Sequence, residues 1–263
     1  MTSITNQSNS FLDPDIFDWC DARRIEQLNL ELLPAFQSLI WSQKLKPVVL
    51  AWVRRRLVLD LLSDNSLWSA EEKAERYAKK CIELKNSPEL SLEIPQGVAD
   101  DEAWCLSEDA LTAWSRQQWG HRLETLYLAQ KQGLDLVSCS LLRVKSQHMA
   151  FELSLRLKSN EASFDQLSWM YGEGPERNQG GRFVRQRMAN LPIALQPLLR
   201  KLKPGEVLKP HRLGDWFLIM SLEELLPAQY DSTTQDYLLR NELTIWLDAV
   251  SSHLLSQLQL VSS

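Results

Sequence analysis

Apolar residues recur at helical spacing through the first half of the chain. Leu50, Val53, Leu57 and Leu61 form one such series behind Pro47, a residue suited to a first helical turn. Arg54, Arg55 and Arg56 fall between them and read as a solvated face. Ser69 and Glu72 make a capping box ahead of Ala70, Ala74, Tyr77, Cys81 and Leu84, a second series on one face. Ser107 is placed to cap a further helix that carries Leu111, Trp114, Leu123 and Leu126 and stops at Gly133. Residues 1–10, polar and Ser/Asn-rich, read as a disordered tail, and 86–96 (NSPELSLEIPQ) as a loop.

The period changes near residue 136. LVSCSLLRVK (136–145) reads as a strand with Val137, Cys139 and Leu141 on one face. Helices are expected over 148–158, 164–171 and 192–202, with YGEGPERNQGG (171–181) a loop rich in Gly, Pro and Asn. Lys203-Pro204-Gly205-Glu206 has the Pro and Gly of a type II turn. Strands follow over 206–212 and 215–222, linked tightly by Leu213-Gly214-Asp215. The tail returns to helix, with Ser232 and Gln235 as its capping box. Leu239, Leu243, Trp246, Val250, Leu254 and Leu258 form a stripe that needs a partner surface, and the first helical half supplies the obvious one. The fold class is therefore α+β. The boundaries are a tail (1–10), a helical domain (11–135), a mixed domain (136–226) and a C-terminal helix (227–263) that joins the helical domain.

Composition narrows the function. The net charge of −5 lacks the basic footprint of a general nucleic-acid binder. No run is apolar and long enough for membrane insertion, and the N-terminal residues lack the pattern of a secretion signal. Cys20, Cys81, Cys105 and Cys139 are scattered singly, as suits reduced thiols, and a cytoplasmic location is expected. Four histidines and four cysteines show no metal-ligand spacing, and no phosphate-binding or nucleophile-elbow motif is present, so no metal or cofactor is expected. The ten tryptophans read mostly as core bulk. Between Glu176 and Glu206 there is no acidic residue, while Arg177, Arg182, Arg185 and Arg187 lie close together.

The segment from about 136 to 224 resembles a parvulin domain, the fold of one class of peptidyl-prolyl isomerases. Phe164, Leu167, Ser168, Tyr171, Gly172, Glu173, Gly174 and Pro175 match a family helix ending F-x-x-L-A-x-x-Y-S-E-D-P. Gly180-Gly181 matches a G-G pair, Leu202 to Glu206 an L-K-P-G-E turn, and Asp215 to Ile219 a strand of the G-W-H-I-I type. The flanking helices are similar to those of SurA-like chaperones. The layout also resembles a group of cyanobacterial peptidyl-prolyl isomerase-like proteins, whose strand reads much like Cys139 to Lys145.

The resemblance implies a four-stranded antiparallel sheet. It also implies a partner that is a proline-containing or unfolded polypeptide, with peptide-export machinery as a further partner. Isomerisation breaks no covalent bond; the barrier is rotation about the X–Pro amide, about 18–20 kcal/mol. Catalysis then needs an apolar slot for the ring and polar groups around a carbonyl whose charge changes. The family's slot residues fall on Phe183, Leu191 and Leu195, types that any buried sheet face would also show. The polar set departs. The family's aspartate or cysteine falls on Gly174, its last-strand histidine on Phe217, and its first-strand histidine within Ser140–Leu142. The aspartate after the G-G pair falls on Arg182. Ser140, Arg182 and Trp216 are the remaining binding candidates, and His211 is the one histidine on a strand near the slot. Peptide binding or chaperoning with weak or lost catalysis is the expectation, with a non-enzymatic adaptor of a peptide secretion system as the alternative.

Overall fold

The computed structural model describes residues 18–63, 67–86 and 102–261. The expected tail over 1–10 and most of the expected loop over 86–96 lie outside these residues. The chain divides into two compact units, one formed by residues up to Leu123 together with Asp236 onward, the other by Glu124–Gln235.

The first unit is helical. Helix α1 (Ala22–Leu32) is followed by α2 (Phe36–Trp41), α3 (Leu45–Ser63), α4 (Ala70–Lys85) and α5 (Glu102–Trp119). Pro47 sits in the first turn of α3, where its missing N–H costs nothing. Val53 and Leu57 are buried there beside Val49, Trp52 and Val58, and Arg54 and Arg55 face solvent as expected. The capping box ahead of α4 forms: the Glu72 N–H donates to Ser69 Oγ at 3.2 Å and the Ser69 N–H to Glu72 Oε2 at 2.9 Å. The apolar series behind it is shallower than its spacing suggests, because Ala70 and Ala74 are exposed. Tyr77 packs against the cluster of Trp68, Leu106 and Ala110.

Ser107 is not a cap. It lies inside α5, whose buried Cys105, Leu106, Ala110 and Leu111 carry the helix past it. Packing of one face overrides the preference of serine for a helix end. Nor does one helix run on to Gly133. Gly120–Arg122 tighten into a 3-10 turn, and α6 (Leu123–Leu134) starts afresh. Glycine is a poor helix former, so the break falls there.

The C-terminal helix α10 (Ser232–Val261) returns to the helical unit. All six residues of its expected stripe are buried. Trp246 meets Trp114 edge to face at 5.0 Å and Trp19 at 5.8 Å. Lys46–Asp248 and Arg116–Asp236 ion pairs, at 2.7 and 2.6 Å, lie along the same helix. The cap of α10 is Asp231, not Ser232. Its carboxylate accepts from the Thr234 N–H at 2.8 Å and its carbonyl from the Gln235 N–H at 2.9 Å.

The second unit is built on a four-stranded antiparallel sheet of order β2-β1-β4-β3, comprising β1 (Leu136–Val144), β2 (Arg182–Arg187), β3 (His211–Leu213) and β4 (Trp216–Leu226). The protein is thus α+β. Helices α7 (Gln147–Lys158) and α8 (Phe164–Tyr171) cover one face, where Leu142, Val144 and Ile219 pack with Ala150, Leu153 and Leu167. Ser163 caps α8 with a full capping box. The other face carries Val137, Cys139, Leu141, Leu218, Met220 and Leu222, packed with Met188, Leu191, Leu195 and Leu199. β1 is buried on both faces, which explains why its sequence reads as a nearly continuous apolar run.

Two expected elements are shorter. The helix over 192–202 is confined to α9 (Gln196–Lys201), since Pro192 and the loop after it leave Leu191 and Leu195 as buried anchors rather than helical residues. The strand over 206–212 is reduced to β3 and one bridge, Val207 to Ser221. Gly205 takes φ +83 with Glu206 N–H donating to Lys203 carbonyl at 2.9 Å, as a type II turn requires.

Candidate functional site

A cavity of about 300 Å³ opens on the sheet face opposite α7 and α8. Its apolar walls include Leu141, Phe183, Leu191, Leu195 and Met220. The structure therefore brings the three expected slot residues, Phe183, Leu191 and Leu195, into one concavity. Strand alternation places Leu141 and Met220 on its floor, directly paired across β1 and β4. The volume is at the small end for a ligand site and matches a single side chain or ring better than a cofactor.

The loop 172–181 closes one side. Pro175–Gln179 form a 3-10 turn, and Gly180 and Gly181 take φ +62 and +75, which a side chain would strain. Gly181 also lies against β1: its carbonyl accepts the Leu141 N–H at 2.8 Å, and a Cβ would fall 2.5 Å from the Leu141 carbonyl oxygen. The glycine pair thus fixes the loop onto the strand.

Gly174 does something different. It has an extended backbone open to any residue, yet a Cβ there would meet Glu176 Oε1 at 2.2 Å and Arg143 Nε at 2.4 Å. The space is filled by an ion pair. Arg143 Nε donates to Glu176 Oε1 at 2.7 Å, and Nη2 lies 2.7 Å from Oε2. That second contact is electrostatic only, because no N–H is aimed at Oε2, which is left without a hydrogen bond. The Glu176 side chain is 3% exposed and that of Arg143 28%. Both line the cavity. Burying this carboxylate is tolerable only with its partner in place.

The remaining candidates fall elsewhere. Ser140 points to the other side of β1 from Cys139 and Leu141; it is buried and donates to Glu223 Oε1 at 2.7 Å. Arg182 reaches the same carboxylate at 3.3 Å. Glu223 is available to both because it is the extra residue of a bulge, with Cys139 opposite Leu222 and Ser138 opposite Glu224. Trp216 packs on the cavity side of the sheet, its ring 6.0 Å from the Arg143 guanidinium and 5.4 Å from Lys145 Nζ. Phe217 packs on the α7/α8 side and does not face the cavity. Phe217, the position that the resemblance matches to a family histidine, therefore points away from the cavity, because successive residues of a strand take opposite faces. His211 is exposed on the edge strand and is not among the cavity residues.

The arginines do not form a free basic rim. Arg177 Nε donates to the Trp169 carbonyl at 3.0 Å, and Arg187 Nη1 to the Leu134 carbonyl at 3.1 Å. Arg182 pairs with Glu223, and Arg185 lies 3.9 Å from Glu224. Arg185 has φ +46 at the β2 bulge, where its N–H is taken by Ser138 Oγ at 3.1 Å. Burial pushes the Cys139 thiol up to about 11, with the negative Glu223 adding to the effect, so this cavity residue is a neutral thiol and no nucleophile near pH 7. Among the described residues no three His, Cys, Asp or Glu side chains gather as metal ligands, and no helix is long and apolar enough to cross a membrane.

Spacing had singled out neither Arg143 nor Glu176. The period-2 alternation of β1 held the signal for Arg143: it continues the series Val137, Cys139, Leu141 onto the cavity face. Nothing local marks Glu176, whose partner lies 33 residues away.

No protein-family model matches the chain, and no curated protein does. Among solved structures, it is similar to the peptidylprolyl isomerase PrsA of Bacillus anthracis, with 14% identity over 78% of this chain and 95% of that one, at a TM-score of 0.40. A PpiC-type peptidyl-prolyl cis-trans isomerase domain matches at 18% identity over 38% of this chain and 99% of that one, at 0.33. A structure from a study of PEB4 and Cj1289, two SurA-like chaperones of Campylobacter jejuni, matches at 15% identity over 92% and 94%, at 0.34. At such identities and TM-scores the likeness fixes neither chemistry nor ligand.

Proposed function

We propose that residues 124–235 form a parvulin-type unit that binds extended or unfolded, proline-containing polypeptide in the cavity, and that the whole chain serves as a SurA-like chaperone. The observation that carries this reading is the convergence of Phe183, Leu191 and Leu195 on one apolar cavity beside a glycine-pinned loop. The motifs of 164–219 support it. Catalysis is weak or lost in this reading. The positions where the resemblance places the family's polar groups are Gly174, Phe217 and one of Ser140–Leu142; Gly174 has no side chain, Phe217 packs on the other face and the Ser140 hydroxyl is spent on Glu223, while the arginines of β2 are committed elsewhere. The four cysteines are free thiols, in keeping with a cytoplasmic location, which cell fractionation tests.

The deciding experiment measures cis–trans exchange in a set of proline tetrapeptides, with the residue before proline varied, in the presence and absence of the protein. The expected result is peptide binding with little or no acceleration. A strong acceleration overturns the loss of catalysis; absence of binding to every peptide overturns the reading as a whole. Suppressed aggregation of an unfolded client supports the chaperone role.

Exposed Phe151 and Leu155, one turn apart on α7, favour a second reading, a non-enzymatic adaptor of a peptide secretion system. A pull-down that returns one stoichiometric partner, with no affinity for general unfolded chains, is its signature.

A further inference from the structure

The wall of the cavity contains one cation, and that cation is already compensated. Arg143 projects from β1 to the same face as Leu141, and Glu176 of the 172–181 loop neutralises it from inside. Gly174 leaves room for the pair as it stands, since a Cβ there would force Glu176 or Arg143 to shift. The glycine that leaves the loop without a polar side chain thus makes room for a different polar device. Nε donates to Glu176 and Nη2 lies beside it without donating, while Nη1 makes no hydrogen bond among the described residues. The other walls offer no second cation.

We propose that Arg143 is the ligand-contacting donor of this cavity, giving a hydrogen bond to a main-chain carbonyl. We assign Glu176 as its positioning residue, whose charge makes the site select uncharged, apolar peptide segments over acidic ones. The inference rests on the peptide-binding reading above and adds its specificity. Two features argue for it. A compensated guanidinium presents donors without a net field, so it suits a neutral carbonyl rather than a carboxylate. The surrounding apolar walls penalise an ionised ligand side chain that has no free partner.

The test uses the full chain and two fluorescent tetrapeptides, Ala-Leu-Pro-Phe and Ala-Glu-Pro-Phe, with anisotropy read at low and high salt. The intact protein is expected to prefer the leucine peptide, with little salt dependence. Glu176→Gln uncovers the arginine charge, so affinity for the glutamate peptide rises about tenfold at low salt and falls back at high salt. A purely structural role for Glu176 predicts no such reversal of preference. The double variant Arg143→Met/Glu176→Met replaces both partners by apolar groups, a change that leaves folding nearly intact. It is expected to lose about tenfold in affinity for the leucine peptide, the worth of one hydrogen bond to a charged donor. If Glu176→Gln fails to fold by circular dichroism, the double variant decides alone. Unchanged affinity in the double variant, or an unchanged preference in folded Glu176→Gln, overturns the assignment of Arg143 and Glu176 while leaving peptide binding intact. An intact protein that binds neither peptide overturns the underlying reading, and the inference falls with it.

Discussion

Trp216 and Phe217 are adjacent in the chain and lie on opposite faces of one sheet, Trp216 on the side of the cavity and Phe217 against α7 and α8. The two substitutions to alanine should therefore separate. Trp216→Ala removes the ring that Arg143 and Lys145 overlie and should weaken peptide binding several-fold with modest loss of stability. Phe217→Ala should cost roughly 1–3 kcal/mol of stability, less than a fully buried aromatic because Phe217 is only half-buried, and leave peptide affinity unchanged. Parallel urea titrations and anisotropy measurements check both. Equal effects on binding would contradict the face assignment.

Gly174→Ala should destabilise although the backbone there suits any residue. The new methyl collides with Glu176 Oε1 and Arg143 Nε, so the ion pair must shift or break. A loss of roughly 1–3 kcal/mol is expected, typical of overpacking. In a background of Arg143→Met/Glu176→Met the same change should cost less, and a double-mutant cycle by denaturant unfolding measures the difference.

The start of α10 gives a sharper contrast. Asp231→Ala should lower the urea midpoint, while Ser232→Ala should not, because the Thr234 N–H is taken by the Asp231 side chain. The hydrogen bond from the Thr234 N–H holds the Asp231 carboxyl below its ordinary 3.8. A depressed carboxylate contributes stability above its unfolded value and loses it as pH falls through the folded one. The gap between the intact protein and Asp231→Ala should therefore be full near neutral pH and close at pH below 3.8.

Cys139 should resist alkylation. With its thiol at about 11, its thiolate fraction is minor at neutral pH, and its reaction with iodoacetamide should accelerate steadily as pH rises toward that value. Cys81, which is half-buried, should react first, as peptide mapping by mass spectrometry shows. A fast-reacting Cys139 at pH 7 would mean a more open cavity.

Arg185 at φ +46 carries strain that glycine avoids. Arg185→Gly should be neutral to stabilising by about 0.5–1 kcal/mol, since its 3.9 Å contact with Glu224, between exposed side chains, is worth little. Thermal unfolding of the two proteins decides this.

Much of the fold was legible in local pattern. The Ser69–Glu72 box, the six-residue stripe of the terminal helix and the Lys203–Glu206 turn are short-range features, and each appears in the structure as read. The misreadings at Ser107 and Ser232 share a cause: several residues near a helix end are chemically able to cap it, and packing or a neighbouring carboxylate chooses among them. In the site, Phe183, Leu191 and Leu195 are legible as apolar types, while the face that Ser140 and Phe217 take, away from the cavity, is not.

By itself the sequence determined most of the elements and the apolar character of the slot, because periodicity and turn chemistry act over a few residues. Only the tertiary structure decided which face each strand residue takes, since a single-residue register or bulge reverses it. It also decided what Gly174 is for. A glycine says only that a side chain is missing; that the vacated space holds Arg143 and Glu176 depends on two residues 33 apart meeting inside the fold, and charge pairing across that distance leaves no local mark.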